Sequence, residues 1–527
     1  MMENWKVKNK ELNQKNLVEQ IYLQRGINNY IELFNLGVSD LHDPFKMHDM
    51  QKVVDRLKKA IDLEEKILVY GDYDVDGITA TYIMYKTLQD LGALVYYQIP
   101  SRFDNGYGLS EEKALEIIND DFEVVITVDN GIKSHLEADL FLKNQVDLII
   151  TDHHEREVNL PKAFAIVHTE LSDYPFKPLA GVGVAFKLSQ ALIGEKALEL
   201  VDIASLGTIA DMMPLIDENR AIVNLGLSRL AKTKNIGLKK LIQFLNLTLP
   251  SISDVQFKIA PRLNACGRME SAHLAVELLL SESEREANQI LKKIEDLNNT
   301  RKKITSYLHE LSNSKIDKTS HANIVSSKEM HEGIIGIVAS KIANQTNKVT
   351  VVLKETKTTF KGSIRSYQNF DLIEALKKLS PYLIKFGGHQ NAAGLEMKKE
   401  NYEAFKKGFL DLVPKNFTKK DMHAEGYIDI YNLDIQEIIN LDQYDLKDSL
   451  FIFENCEIKN RYLLSDSHSK IVLSNNVEAI AFNNKKLFFD TALASKITFL
   501  GRLDVNFYRN FPKKIILIDD YFIIESK

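Results

Sequence analysis

The sequence predicts an α/β protein: a parallel-sheet domain, a connecting helix, a second α/β domain and a small C-terminal β-barrel. Three observations predict it. Short β-rich runs alternate with helical patterns through residues 66–170, one long amphipathic stretch follows, and after residue 420 the pattern changes to short alternating strands.

The first β-rich runs are Ile67-Leu68-Val69-Tyr70, Val95-Tyr96-Tyr97, Val124-Val125-Ile126-Thr127-Val128, Leu148-Ile149-Ile150 and Ile166-Val167. Apolar runs separated by helix-length spacers build a parallel sheet wrapped by helices. A capping-box pattern, Ser283 with Glu286, opens a long helix whose apolar residues recur at Ala287, Ile290, Leu291, Ile294, Leu297, Ile304, Leu308 and Leu311. Between residues 320 and 413 the α/β pattern returns, with Ile334-Ile335-Gly336-Ile337-Val338-Ala339 and the glycine-rich Gly387-Gly388-His389. The polar run from Lys415 to Lys420 reads as a linker, and the barrel strands are expected at Tyr427 to Tyr431, Val477 to Phe482, Ile497 to Leu503 and Ile515 to Asp519. The expected division is an N-terminal extension at 1–65, the first domain with its helical part at 66–280, the connecting helix at 281–318, the second domain at 319–413 and the barrel at 421–527.

Composition narrows the function classes. With 527 residues, 45% hydrophobic and 27% charged, the chain is a modular globular protein and not a largely disordered one. A formal charge of -6 argues against a nucleic-acid binder that works by overall positive charge, while local basic grooves stay compatible with it. Cys266 and Cys456 lie too far apart in sequence for a ligand spacing, fit a reducing compartment and read as structural. The start, Met1-Met2-Glu3-Asn4-Trp5, has no apolar signal run, and no stretch approaches the ~18 apolar residues of a membrane span, so a cytoplasmic protein is expected.

The chemistry resides in acidic motifs, three of which immediately follow predicted strands: Gly71-Asp72-Tyr73-Asp74-Val75-Asp76-Gly77, Val128-Asp129-Asn130-Gly131 and Asp152-His153-His154, with Asp211 further on. That position is the carboxyl edge of the sheet, where open α/β folds place ligands. Hard oxygens mixed with imidazoles suit manganese or magnesium held for phosphoester hydrolysis. Asp72-Asp74-Asp76 resembles the opening of a calcium loop, but Ile83 stands where the bidentate glutamate would be needed and the segment leads from a strand into a helix, which argues against that reading. A single aspartate at a strand-to-helix junction would read as a helix cap. Several converging on one edge would repel one another unless cations neutralised them. His153 and His154, adjacent at a turn, can both reach the site, one as ligand and the other facing a phosphate.

These motifs, in this order and ending with Gly207-Thr208-Ile209-Ala210-Asp211, resemble those of the DHH phosphoesterase superfamily and, within it, the bacterial RecJ single-strand-specific exonucleases. Further matching text is Ile99-Pro100-Ser101-Arg102 with Gly106-Tyr107-Gly108, Pro261 to Arg268, His331 to Ala339, Gly362 to Ser366 and Gly387 to Gly394. The resemblance covers residues 40–400 closely and the barrel more loosely. It departs at Met330, where the family has tryptophan, and at Phe451-Ile452-Phe453-Glu454-Asn455, where it has a proline- and glycine-rich turn.

The resemblance implies two manganese or magnesium ions, with Asp129 bridging, Asp74 on one side, and Asp76, His153 and Asp211 around the other. His154 would meet a nonbridging phosphate oxygen, and Asp72 either binds directly or orients ligands. Arg102, Ser363 and Arg365 would grip a terminal 5′ phosphate, with Arg268, Gly388 and His389 as further substrate contacts. For each arginine alone the plain alternative is a surface ion pair, and for the glycine pair a turn that starts a helix. The barrel is expected to be OB-like, binding single strands by stacking, with Phe507 and Tyr508 either platform or core. The implied activity is a metal-dependent 5′-to-3′ exonuclease that reduces single-stranded DNA with a free 5′ end to mononucleotides in recombination and repair. A single-strand-binding protein and a helicase are the implied partners. The competing readings are a phosphodiesterase for very short or cyclic oligonucleotides, and a DNA-binding scaffold that has lost its metals.

Overall fold

Ile67–Tyr70, Val124–Val128 and Leu148 to Ile150 within Asp147–Thr151 are mainly aliphatic runs buried on both faces, as the centre of a parallel sheet requires. The structure, a computed structural model, describes residues 4–10, 12–102, 108–417, 421–464, 467–482, 484–508 and 511–524. Gly106, Tyr107 and the end of the Lys415 to Lys420 linker fall outside the described residues, as do the side chains of Phe507 and Tyr508.

The chain forms two compact units, Leu33–Val413 and, separately, Pro414–Lys527 joined by the N-terminal residues up to Glu32. In the larger unit the five-stranded parallel sheet runs in the order Val95–Gln98, Ile67–Tyr70, Val124–Val128, Asp147–Thr151, Ala165–Val167. The strand after Ile67–Tyr70 lies on one side of it and the next on the other. The winding therefore reverses between Ile67–Tyr70 and Val124–Val128, the switch point at which such sheets open a crevice. Alternate residues of these strands feed two apolar layers. Val69, Ile126 and Ile149 pack with the helices Val75–Asp90, Gly181–Ile193 and Val201–Ala210, whereas Leu68, Val125 and Leu148 pack with Glu111–Asn119 and His135–Lys143.

One charged pair sits inside this helical layer. Lys187 and Glu218 are both fully buried, with Nζ 2.8 Å from Oε1. Glu218 also accepts from Tyr174 Oη at 2.5 Å and from the His42 backbone N–H at 2.9 Å, while Lys187 donates to the His42 carbonyl. The network fastens the segment before Met50–Asp62 to the helices. Removing one partner strands the other charge in a low-dielectric interior. Lys187→Met is accordingly expected to cost about 3–5 kcal/mol, checked by urea unfolding of the variant.

The Glu284–Lys315 helix begins where Ser283 Oγ accepts from the Glu286 N–H at 3.2 Å. The Glu286 carboxylate reaches the N–H of Glu282 and not that of Ser283, so the capping box is displaced by one residue. Beyond it, a mixed sheet runs Lys385–His389, Ala392–Lys398, Thr359–Arg365, Thr350–Glu355, Asn323–Ser327. The helix Ile335–Thr346 covers part of it through Val338, Ala339 and Ile342. Met330 is buried in the same cluster, so packing absorbs its difference from tryptophan.

In the smaller unit Leu450–Leu463, Ser469–Leu473, Glu478–Ala481, Phe511–Ile524 and Lys496–Tyr508 form a ring that closes where the last pairs with the first. It is a five-stranded OB-like barrel. Met422–Tyr427 and Trp5–Val7 extend it in parallel, and the chain's single tryptophan, Trp5, donates to Asp520 at 2.9 Å.

The sequence reading misplaced parts of this region. The strand expected from Tyr427 to Tyr431 ends at Tyr427, and the expectation omitted Leu450–Leu463 and Ser469–Leu473. Phe451 to Asn455, where the resembling family has a turn, belongs to a long strand: Phe451, Ile452 and Phe453 are all buried, which hides the alternation. Asn455, at φ +52°, makes the bulge where the register shifts.

Candidate metal centre

Each acidic motif reaches the site because a strand ends there. After Ile67–Tyr70 the chain turns through Asp72 and Asp74, and Asp74 caps Val75–Asp90 by accepting from the Gly77 N–H at 3.2 Å. Asp76, one residue into that helix, accepts from the backbone N–H groups of Gly181 and Val182 at 2.7 and 2.8 Å, so the N-terminus of a second helix holds it. Asp129 follows Val124–Val128 with φ +62°, a conformation that aspartate and asparagine tolerate best after glycine. Gly181 allows the close approach: a Cβ there would stand 2.5 Å from the Asp129 side chain. Asp211 ends Val201–Ala210 and faces the same cluster.

The structure brings together Asp72, Asp74, Asp76, Asp129, His153, His154 and Asp211. Ligand atoms of Asp72, Asp74 and Asp129 lie within 4.8 Å of one another, as do those of Asp76, His153 and Asp211, and those of Asp129, His153 and His154. Asp129 and His153 each belong to two groups, so the site is a double cluster with a shared centre. His153 Nε2 lies 3.2 Å from Asp129, 3.6 Å from Asp76 and 3.8 Å from Asp211.

The electrostatics favour cations. Burial, then mutual repulsion, raises Asp72, Asp76 and Asp129 well above the usual carboxylate range, and Asp211 to about 6. Asp72 Oδ1 is buried with no hydrogen-bond donor among the described residues. Burial and the neighbouring His154 push His153 down to about 4, so it is a neutral imidazole at neutral pH, the form that ligates a metal. Oxygen-rich groups completed by one imidazole fit manganese or magnesium.

Asp152 has a different part. Its carboxylate accepts from the N–H groups of His153, His154 and Ile132 and from His154 Nδ1 at 2.7 Å. These bonds hold it below the usual carboxylate range despite its burial, and they raise His154 to about 9. His154 is thus a cation whose Nε2 is turned away from Asp152. Buried His168 completes the support, accepting from the Glu170 N–H and donating Nε2–H to the His154 carbonyl at 3.0 Å. Sequence reading missed the parts played by Asp152, His168 and Gly181, because such support depends on a fold that brings distant backbone groups alongside.

Arg102 lies with its guanidinium 3.9 Å over the Tyr73 ring. Burial and then the charge of Arg102 lower both Arg268 and Arg365 below the usual arginine range. Arg365 donates to Ser340 Oγ, Ser363 Oγ and the Ile364 carbonyl, each at 2.9 Å. Arg268 donates to the Gly333 carbonyl at 3.2 Å, and a Cβ on Gly333 would collide with the Arg268 carbonyl.

Gly388 and His389 lie in a hairpin strand, not at a helix start. Register pairs His389 and Arg365 with the same residue, Ala392, so both stand on one face roughly 10 Å apart, two strand spacings. The row beside them, Gly387, Gly394 and Ser363, is nearly bare of side chains. His389 is exposed on this face and has no ion pair with the carboxylate cluster among the described residues.

Residues 66–210 match the N-terminal domain of the DHH family, and residues 318–414 match the DHHA1 domain. The single-stranded-DNA-specific exonuclease RecJ of Dickeya dadantii is 30% identical, with 95% of each chain covered. The chain belongs to the RecJ family. The Bacillus subtilis RecJ is 37% identical over 92% of this chain, which spans 65% of that longer protein. The crystal structure of Thermus thermophilus RecJ in complex with Mn2+ superposes with a TM-score of 0.85 at 27% identity, covering 100% of this chain and 81% of that one. The same protein with Mg2+ gives 0.78 at 25% identity, covering 99% and 79%. Among the described residues no helix is long and apolar enough to cross a membrane.

Proposed function

We propose that this RecJ-family chain is a manganese- or magnesium-dependent exonuclease that removes mononucleotides from the 5′ end of single-stranded DNA in recombination and repair. The observation that carries this reading is the double cluster with Asp129 and His153 at its centre and a group of arginines beside it. A carboxylate set that repels itself suits divalent cations; arginines without carboxylate ion pairs among the described residues suit a phosphate chain.

Asp74, Asp76, Asp129, His153 and Asp211 would hold two ions, with Asp72 as a further ligand or as orienting group. When bound, such ions activate water and neutralise charge on the phosphate. The chain's own groups do the rest. His154, charged and braced by Asp152, donates to a nonbridging oxygen of the scissile phosphate. Arg102, Arg365 and Ser363 bind the terminal 5′ phosphate, Arg268 adds a donor beside Asp74, and His389 with Gly388 borders the nucleotide being released. A grip on the chain end, with the reactive cluster next to it, makes cleavage proceed one nucleotide at a time. The OB-like barrel would bind the trailing strand. The reading includes a cytoplasmic setting, in which a helicase and a single-strand-binding protein supply and present the strand.

Incubation of the full chain with manganese and a long 5′-phosphorylated single strand labelled at its 3′ end tests this. Progressive shortening with release of 5′ mononucleotides, stopped by a chelator, is the expected result. Internal fragments, or cleavage confined to dinucleotides, would refute it.

A further inference from the structure

Arg102, Arg268 and Arg365 are each held by a different device. Three hydrogen bonds fix Arg365, and the Gly333 carbonyl fixes Arg268. The side chain of Arg102 has neither a hydrogen bond nor an ion pair among the described residues, and its buried Nε meets no acceptor. What it touches is a ring: the guanidinium carbon lies 3.9 Å from the centroid of Tyr73. Arg102 as a whole is half-buried, and Nη1 and Nη2 are not closed off as Nε is, so the fork stays open to a ligand.

Tyr73 is not a loose platform. It stands between Asp72 and Asp74, whose ligand atoms lie within 4.8 Å of each other and of Asp129, and Asp74 is itself tied down as a helix cap. The helix Ala260–Met269 packs against the same residue: a Cβ on Gly267 would stand 2.5 Å from the Tyr73 carbonyl oxygen and 3.2 Å from the Tyr73 Cβ. The residue after Gly267 is Arg268. The backbone of Tyr73 is thus fixed by the turn that carries metal-centre carboxylates and by the helix that carries one arginine, while its ring carries another. A carboxylate would also have held Arg102, but at the expense of its charge. A ring face attracts a guanidinium without neutralising it, which leaves the cation available for a phosphate.

We propose that Tyr73 is a positioning residue for the terminal-phosphate grip: its ring sets Arg102 for the 5′ phosphate and ties that arginine to the turn of Asp72 and Asp74. The assignment rests on the exonuclease reading above and adds to it the group that places Arg102. One backbone segment then registers the gripped phosphate against the metal centre.

The experiment measures KM and kcat of the full chain with manganese on single strands that end in a 5′ phosphate or a 5′ hydroxyl. It uses wild type, Tyr73→Leu, Tyr73→Phe, Arg102→Ala and the Tyr73→Leu/Arg102→Ala double variant. Leucine keeps an apolar body at the position but has no ring face. Tyr73→Leu is expected to raise KM for the phosphorylated strand about tenfold, with kcat and the hydroxyl strand unmoved and manganese binding by calorimetry as in wild type. Tyr73→Phe retains the ring and should restore wild-type behaviour. In the Arg102→Ala background, Tyr73→Leu should add nothing, the non-additivity expected of a residue that acts through another. The proposal falls if Tyr73→Leu leaves KM for the phosphorylated strand unchanged, affects both strand ends alike, or loses manganese. It falls equally if phenylalanine is as poor as leucine, or if the tenfold effect persists without Arg102. A wild type indifferent to the 5′ end overturns the terminal-phosphate grip, and a wild type that cleaves nothing overturns the exonuclease reading, each taking this assignment with it.

Discussion

Asp129→Asn is expected to lower kcat by about three orders of magnitude or more while leaving the folded protein as stable as wild type or more so. The substitution isolates one variable. Asparagine tolerates the φ of +62° found at this position and keeps the size of the side chain, so the turn after Val124–Val128 is preserved. What is lost is the negative charge at the point where the carboxylate groups meet. In the absence of cations that charge is unfavourable, since burial and the nearby Asp72, Asp74, Asp76 and Asp152 all oppose it. Its removal relieves the fold and empties the function, the opposition expected of a residue kept for chemistry. Thermal unfolding without metal, manganese stoichiometry by calorimetry and cleavage of a single strand, all on one preparation, check it. Activity within tenfold of wild type would end the case for Asp129 as the centre of the site.

Much of this centre was legible in the sequence for a physical reason. A parallel strand buried on both faces is an unbroken aliphatic run, and a carboxylate immediately after it has nowhere to go but the sheet edge. Ile126-Thr127-Val128 before Asp129 and Ile149-Ile150-Thr151 before Asp152 both have this form. What the pattern could not do was distinguish the two aspartates: Asp129 faces other carboxylates, whereas Asp152 is consumed by N–H donors, and that difference arises from the backbone beyond each turn. Trp5–Val7 was equally hidden, since three residues carry no periodicity and their partner strand, Met422–Tyr427, lies some 400 positions away. In the barrel, the bulge at Asn455 breaks the alternation of Leu450–Leu463, so this long strand was not among those expected.

Arg365→Ala is expected to raise KM for 5′-phosphorylated single strands about a hundredfold, with little effect on strands that end in a 5′ hydroxyl. The guanidinium is fixed before any substrate arrives: Ser340, Ser363 and the Ile364 carbonyl take Nε and Nη1. Nη2 faces Gly336, where an added Cβ would come within 2.9 Å, so the glycine keeps the space around the fork open. A pre-set fork loses little side-chain entropy on meeting phosphate, which is why its removal should cost more than an ordinary surface arginine. Loss of the side chain also relieves repulsion from Arg102, so the fold should not suffer. The 5′-hydroxyl strand is the internal control, because it lacks the group that Arg365 is proposed to bind. A variant that slows both ends alike would make Arg365 a residue of general strand affinity, and the terminal-phosphate grip would have to be sought elsewhere on the sheet.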